Sequence, residues 1–250
     1  MTTESDEPES EFDELLEEAG LAMTMGDLDD ALELFDEAEE LADNDLQHAH
    51  CLAGRAAVFI GRKRFAEAVD LLREAVEFAG DEAPASVHCN LAFALDKLRR
   101  YDEAVAAHGR CIARHEREHG ASHPRTLRKR GDLAYSMIGL GRLDEAETIL
   151  RDVVDGLARK ADREPDWYTT ALINLGYFLL RSRKDPEAAI RTFDRAEAMR
   201  DRCSTEYRDG FSPELEAVLL QNRSEACDAI GRTREAAELR DRAKRLTTRA

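Results

Sequence analysis

The strongest constraint on the fold is an alanine that recurs six times in a similar sequence context. Each copy follows a short turn and opens an amphipathic stretch, as in GDLDDALELFDEAEEL from Gly26 and GRLDEAETILRDVV from Gly141. Successive copies lie 36 to 47 residues apart, a period typical of structural repeats. The six alanines are Ala31, Ala68, Ala104, Ala146, Ala189 and Ala236.

A second small residue precedes the alanine by 12 positions in five of the copies. Two helices joined by a tight turn fit this spacing, because paired helices need small residues where they approach closely. The fifth copy has Tyr177 at this position. A shift of one residue places Gly176 there instead, so we expect an insertion at Asp185 or Pro186. The five small residues are Ala19, Ala56, Ala92, Ala134 and Ser224.

These copies resemble the tetratricopeptide repeat (TPR). The stretch from Gly26 to Ala38 matches its pattern closely, with a turn glycine followed by an alanine and an aromatic residue in the second helix. The stretches Tyr101 to Cys111 and Gly141 to Val153 match it more loosely. Copies three to five also look like the roughly 42-residue version common in bacterial regulators. In that version an H-P-x-T-L start precedes the first helix, as in His123 to Leu127 here.

The resemblance implies an all-α fold, a right-handed superhelical solenoid of about six TPR-like helical hairpins with a concave inner wall. A single hairpin cannot bury its own apolar faces, and only stacked neighbours close a continuous core. We therefore expect one solenoid over residues 11–250, preceded by a disordered acidic tail at residues 1–10. The expected repeats are 11–45, 46–82, 83–121, 122–163, 164–210 and 211–250.

The net charge of −17 is concentrated at the start of the chain. Residues 1–45 contain 19 acidic and no basic side chains, whereas the remainder is almost neutral. Because phosphate binding needs a basic surface, we expect no nucleic-acid partner. The sequence has no apolar run long enough to cross a membrane, and its start lacks the basic and apolar regions of a signal peptide. We therefore expect no membrane contact and a cytoplasmic location.

The five cysteines are scattered singly, and no two of them form a C-x-x-C pair. This pattern suggests neither a disulfide framework nor a thiolate zinc site. We expect the cysteines to be small core residues or unreactive surface thiols. They are Cys51, Cys89, Cys111, Cys203 and Cys227.

The stretch from His115 to His119 satisfies the H-E-x-x-H pattern of zinc metalloproteases. Its two histidines would lie one turn apart on one helix face, a geometry that zinc accepts. However, Ser122 and Arg125 stand where a metzincin needs glycine and histidine. The sequence also lacks phosphate-binding glycine motifs and a nucleophile elbow. We therefore expect no enzyme, no catalytic residue, no metal and no cofactor.

The first helix of each repeat is expected to line the concave wall, where solenoids of this type bind partners. Two positions before the small residue stand Asn90, Asp132, Asn174 and Asn222. An Asn amide both donates and accepts hydrogen bonds, and in the family it commonly pairs with the backbone of an extended peptide at this position. Aromatic and basic residues on the same wall would add apolar anchors and charge selection. They are Phe93, Lys97, Arg128, Tyr135, Tyr177 and Arg181.

Two functions fit these features. The first is a non-enzymatic adaptor or scaffold that binds a peptide or an exposed protein segment in the concave groove. Its affinity would come from backbone pairing to the Asn positions and from the burial of a few side chains. The second is a self-associating structural protein, a homo-oligomer in which the acidic N-terminal hairpin docks on a basic surface of another copy.

Overall fold

The computed structural model describes residues 10–161, 165–206 and 212–248. Every regular element in this part of the chain is helical, without a strand, which confirms the predicted all-α class. Within the same ranges, none of the helices combines the length and the apolar character that a membrane span requires. The α-helices are α1 (Glu11–Met25), α2 (Leu28–Glu40), α3 (Asp45–Gly61), α4 (Phe65–Ala79), α5 (Ala85–Lys97), α6 (Tyr101–His119), α7 (Pro124–Gly139), α8 (Leu143–Ala158), α9 (Pro165–Arg181), α10 (Pro186–Glu206), α11 (Pro213–Ala229) and α12 (Thr233–Thr247).

The helices form two compact units, one that ends at Arg114 and one that begins at His115. The first unit contains α1 to α5 and most of α6, and the second contains the last turn of α6 and α7 to α12. The predicted tail at residues 1–10 lies outside the described residues except for Ser10. The Oγ of Ser10 accepts a hydrogen bond from the backbone N–H of Asp13 and so caps α1.

Small residues lie where the two helices of each hairpin meet. The recurring alanine of the second helix is completely buried in all six hairpins. The small residues of the first helix, from Ala19 to Ser224, are at most 1% exposed. The small-residue spacing in the sequence therefore marks the contact line of each hairpin, as predicted.

The fifth hairpin has the predicted one-residue shift. Gly176 on α9 is buried, and a Cβ atom built there would lie 2.4 Å from the Phe193 ring on α10. Tyr177, in contrast, is 47% exposed. The turn at residues 182–185 has one residue more than the turns at 62–64, 98–100, 140–142 and 230–232. This extra residue explains why the alanine-based register points to Tyr177 instead of Gly176.

Each hairpin turn contains a residue with positive φ, five positions before the recurring alanine. Glycine occupies this position at Gly26, Gly141 and Gly231. In the other three turns a side chain is forced into the left-handed region, which favours glycine because a Cβ atom is crowded there. These three residues are Lys63 (φ 59°), Arg99 (φ 60°) and Lys184 (φ 58°).

The first unit contains a large apolar cluster contributed by α3 to α6. Val69, Leu72 and Val87 are completely buried in it. One polar contact also lies in the interior of the third hairpin, where His108 Nε2 and Asp96 Oδ2 are 2.9 Å apart and both residues are buried. Because buried polar groups are costly unless they are paired, this contact specifies the alignment of α5 and α6.

Cys89 on α5 and Cys111 on α6 form a disulfide, with their Cα atoms 5.2 Å apart. The expectation that the cysteines do not pair is therefore wrong for these two. They are 22 residues apart in the sequence, and only the packing of the third hairpin brings them together. Cys51 and Cys227 are buried thiols, as expected. Burial raises the pKa of Cys51 to about 11, which keeps its thiol protonated and unreactive.

The second unit combines an apolar core with half-buried ion pairs. Phe178 and Phe193 lie in the core together with leucines of α9 and α11. Arg223 on α11 contacts carboxylates of both neighbouring helices, Glu197 on α10 at 3.5 Å and Glu235 on α12 at 3.1 Å. A second arginine, Arg200 on α10, lies 2.7 Å from a carboxylate of α11. These arginines connect α10, α11 and α12 through charge as well as through apolar packing.

Candidate functional site

The ten predicted site residues all lie on first helices of hairpins, and each is exposed or half-buried. They belong to two surfaces, one in each unit. We call the α5 residues Asn90, Phe93 and Lys97 the first-unit face. We call the remaining residues the second-unit face, which comprises Arg128, Asp132 and Tyr135 on α7, Asn174, Tyr177 and Arg181 on α9, and Asn222 on α11.

The first-unit face is centred on an exposed aromatic ring. Phe93 is 44% exposed, and its ring meets Phe65 of α4 edge-on at 6.3 Å between centroids. The Nζ of Lys97 lies 4.9 Å from the centre of the Phe93 ring, within range of a cation–π contact. Asn90 is half-buried on the same helix. The face therefore offers an apolar anchor, a cation and an amide on one helix.

The second hairpin has no amide at the equivalent position. Gly54 stands there, and a Cβ atom at Gly54 would lie 2.2 Å from the ring of Phe35 on α2. Any side chain at this position would displace that buried ring. The series of Asn residues along the first helices therefore cannot extend into the second hairpin without a change in packing.

On α7, Arg128 and Asp132 each contact a side chain of the second unit. The guanidinium of Arg128 lies 5.7 Å from the centre of the half-buried Trp167 ring on α9. Asp132 accepts a hydrogen bond from Lys129 Nζ at 3.3 Å, which offsets its charge. Tyr135 is 54% exposed. The Trp167 ring of the fifth hairpin therefore contacts the preceding hairpin through Arg128 of α7.

On α9 and α11, an ion pair connects two of the first helices. Arg181 donates a hydrogen bond to Glu225 at 2.5 Å, and its guanidinium also lies 5.7 Å from the centre of the Tyr177 ring. Glu225 is not among the ten predicted site residues, although it directly follows the small residue Ser224. Its effect is to offset the charge of Arg181, so this cation contributes less to charge selection than the sequence suggests.

The Asn amides on these faces have no hydrogen-bonding role within the described part of the chain. Among the described residues, no hydrogen bond joins the side chain of Asn90, Asn174 or Asn222 to another group. Since all three are at least partly accessible, their amides can exchange hydrogen bonds with a partner backbone without breaking an internal contact.

The H-E-x-x-H stretch forms the last turn of α6, and Gly120 follows it with φ 92°. The carboxylate close to the two histidines is not the one that the protease pattern requires. Glu116, which would be the general base, accepts a hydrogen bond from Arg130 of α7 at 2.6 Å. Glu118 instead has an oxygen within 4.8 Å of ligand nitrogens of both His115 and His119. This arrangement does not match the zinc protease geometry.

Burial, and then the charge of Lys129, lower the pKa of His115. The neutral imidazole is therefore favoured at neutral pH. That form is the one that binds transition metals through a nitrogen lone pair. The H-E-x-x-H pattern points to Glu116, although the helix period places Glu118 on the face of the two histidines. A helix advances about 100° per residue, so positions i, i+3 and i+4 share a face while i+1 does not.

The fold of the hairpins is shared with solved structures. BtubC (BKLC) from P. vanneervenii has a TM-score of 0.68 at 17% identity, over 96% of this chain and 92% of that chain. The apo form of the quorum sensor NprR from B. thuringiensis has a TM-score of 0.71 at 14% identity, over 96% of this chain and 65% of that chain. YrrB, a TPR protein with an unusual peptide-binding site, has a TM-score of 0.53 at 21% identity, over 75% of this chain and 85% of that chain.

Sequence comparison identifies the family directly. No curated protein sequence matches the chain significantly. The family profile for the tetratricopeptide repeat, however, matches residues 14–80 and 84–159, which together exceed half of the chain. With the same small-residue contact line in all six hairpins, the chain belongs to the tetratricopeptide repeat family.

Proposed function

We propose that this protein is a non-enzymatic adaptor or scaffold that binds an extended segment of a partner protein along the first helices of its hairpins. The observation that carries the proposal is the set of accessible Asn amides at equivalent repeat positions, none of which is hydrogen-bonded internally among the described residues. In the second unit, Asn174 and Asn222 lie on α9 and α11, which pack against each other. An extended backbone could pair with both amides, whatever its side chains.

The surroundings of these amides indicate the character of the ligand. Tyr135 and Tyr177 are exposed aromatic side chains, which supply contact area at a small entropic cost. Arg128 has no carboxylate partner in the described part of the chain, whereas Arg181 is paired with Glu225. We therefore expect a peptide with apolar anchors and an acidic group placed near Arg128.

Two of the structural relatives support binding of this kind. YrrB is described as having a peptide-binding site, and NprR is a quorum sensor. Both share the hairpin fold at low sequence identity, so their support concerns the class of function. The residues proposed for this chain are its own.

A display library of random peptides, selected on the full-length protein, tests the proposal. Binding of the selected peptides is then measured by calorimetry on the wild type and on the Asn90→Ala/Asn174→Ala/Asn222→Ala variant. Because each amide supplies one or two hydrogen bonds to the peptide, we expect affinity at least tenfold weaker in the variant.

Gln221→Ala is the matched control, since Gln221 is an exposed amide on α11 next to Asn222. It should bind the selected peptides as the wild type does. Peptides retained equally by the triple variant and the control would contradict the role of the Asn positions.

A second candidate function is self-association through the acidic N-terminal hairpin. Part of its charge is used internally, since Arg55 of α3 contacts Asp36 and Glu39 of α2. The carboxylates of Glu17 and Glu18 on α1 remain exposed and could face a basic surface of another copy.

Sedimentation at increasing salt concentration tests this second candidate. Salt screens exposed charges, so such an oligomer should dissociate into monomers as the salt concentration rises. Glu17→Lys/Glu18→Lys should be monomeric even at low salt. A monomeric wild type at low salt would contradict self-association and leave the peptide-binding proposal intact.

We also propose the cytoplasmic location that the sequence predicts, and the Cys89–Cys111 disulfide makes it testable. The cytoplasm keeps most protein thiols reduced. In a cytoplasmic protein the pair should be kept as thiols and close to the disulfide only on oxidation, so thiol labelling in intact cells should find Cys89 and Cys111 modified. A pair that is fully protected until reduction would place the protein in an oxidising compartment.

A further inference from the structure

Three potential metal ligands share one face at the end of α6. The rings of His115 and His119 are 5.6 Å apart, and one ligand atom from each of His115, Glu118 and His119 lies within 4.8 Å of the other two. His119 and Glu118 are exposed and His115 is half-buried. An ion from solution can therefore reach the group.

The chemistry of these ligands fits a borderline divalent ion. Two imidazoles and one carboxylate form the donor set of known His₂Glu zinc sites, in which a further ligand or water completes the tetrahedron. Zinc–ligand bonds of about 2.0–2.2 Å require donor atoms about 3.5 Å apart. The ligand atoms of His115, Glu118 and His119 lie within 4.8 Å of one another, which is up to about 1.3 Å more than zinc requires. Rotation of these side chains at the end of the helix can shorten the distances without moving the backbone.

A fourth donor lies across the turn to α7. The ring of His123 is 4.9 Å from that of His119. The Nδ1 of His123 accepts a hydrogen bond from the backbone N–H of Arg125 and caps α7. Its Nε2 is then the nitrogen that would bind a metal, with the ring oriented by the capping bond in the way that outer hydrogen bonds orient metal-binding histidines.

We propose that His115, Glu118 and His119, with His123 as the fourth ligand, form a Zn²⁺ site that fastens the last turn of α6 to the start of α7. The site is structural and not proteolytic, because Glu116 is held by Arg130 and does not face the ion. This inference is independent of the peptide-binding proposal, since none of its residues belongs to either face.

Calorimetric titration of the full-length, disulfide-bonded protein with Zn²⁺ tests the site. We expect one ion per chain in the wild type and at least tenfold weaker binding for His119→Ala and for Glu118→Gln. Glu116→Gln is the matched control, because it removes a carboxylate from the same helical turn but not from the proposed ligand set. It should bind Zn²⁺ as the wild type does. The same holds for His48→Ala/His50→Ala, which removes two histidines of α3 that are outside the proposed ligand set.

Two results would overturn the proposal. One is unchanged Zn²⁺ affinity in His119→Ala, which would show that the ion binds elsewhere or only adventitiously. The other is a loss in Glu116→Gln without a loss in Glu118→Gln, which would restore the protease arrangement. Substitution of Co²⁺ for Zn²⁺ adds a spectroscopic readout, since thiolate charge-transfer bands would assign the ion to cysteines and contradict the site.

Thermal melts supply a measurement that does not depend on calorimetry. A ligand that binds only the folded state raises the melting temperature with its concentration. Zn²⁺ should therefore stabilise the wild type, His123→Ala should retain less of this stabilisation, and His119→Ala should lose it. Circular dichroism without metal checks that each variant is folded. Equal Zn²⁺ stabilisation of folded wild type and folded His119→Ala would also overturn the proposal.

Discussion

In the first unit, a disulfide and a buried hydrogen bond connect the two helices of the third hairpin. In the second unit, half-buried ion pairs connect the last three helices. In the first unit, Cys89 and Cys111 are bonded and Asp96 contacts His108. In the second, Arg223 contacts carboxylates on α10 and α12. The alanine contact line is the same in both units, so the difference concerns what is added to it. The small-residue line is thus common to all six hairpins, while the additional bonds differ from one part of the chain to the other.

The largest expected effect is the removal of the disulfide. Closure of a loop of this length is worth about 3 kcal/mol in the chain-entropy account. Cys89→Ala/Cys111→Ala should therefore lower the stability of the first unit by that amount. Hydrogen exchange on peptides from α3 to α5, compared with peptides from α9 to α12, measures the two units separately. An equal increase of exchange in both sets of peptides would show that the disulfide does not stabilise the first unit in particular. As a control, a reducing agent should not change the exchange of the variant further.

The next effect is the loss of a half-buried arginine. Arg223→Gln removes the arginine that connects Glu197 on α10 with Glu235 on α12, at a site where Arg223 and Glu197 are both less than one-fifth exposed. Glu197 keeps its contacts with Arg200 and Arg242, so the loss is smaller than that of an isolated buried pair. We expect a loss of about 2 kcal/mol in the second unit.

Arg55→Gln in the first unit is the comparison, because Arg55 and its partners Asp36 and Glu39 are all more than one-quarter exposed. This substitution should cost less than about 1 kcal/mol. Hydrogen exchange at increasing denaturant concentration measures the stability loss in each unit separately. Equal losses would show that burial of the pair is unimportant.

A smaller effect is expected at the turns, and it should be the same in both units. Lys63→Gly in the first unit and Lys184→Gly in the second relieve the left-handed backbone of a non-glycine residue. After the entropic cost of a flexible glycine is subtracted, each should stabilise its unit by roughly 0.5 kcal/mol. Gly141→Ala should act in the opposite direction. Chemical denaturation measures all three, and destabilisation by either lysine substitution would contradict this account of the turns.

The smallest effect on stability is expected on the peptide-binding faces. Asn174→Ala and Asn222→Ala remove amides that are not hydrogen-bonded internally among the described residues. The free energy of unfolding should therefore change by less than about 0.5 kcal/mol. A thermal melt with a larger loss would show that these amides support the fold and not a ligand.

Much of the fold follows from local sequence pattern. The hairpins, the glycine at the fifth contact and the inserted turn residue are all predictable, because helix period and turn length act within about 40 residues. The exposure of the ten site residues also follows from their positions on the first helices. The H-E-x-x-H stretch shows the limit of motif matching, since the helix period itself places Glu118, and not Glu116, beside His115.

The partners of individual side chains are less predictable. Cys89 pairs with Cys111 on the next helix, and Arg181 with Glu225 two helices further on, because the helices pack at particular rotations about their axes. A rotation of a few tens of degrees would point either side chain elsewhere, and single-sequence spacing carries no information about that angle. The isolated cysteines therefore looked unpaired, and Arg181 looked available for a ligand.

The amino-acid sequence alone determined the helical hairpins of this protein, their number and the small residues on which they close, because these depend on short-range periodicity and on the space that a side chain occupies. Only the tertiary structure decided which cysteines bond, which charges cancel and which carboxylate lies beside the two histidines of α6. Those contacts require atoms to meet within a few ångströms, and packing of whole helices sets such distances.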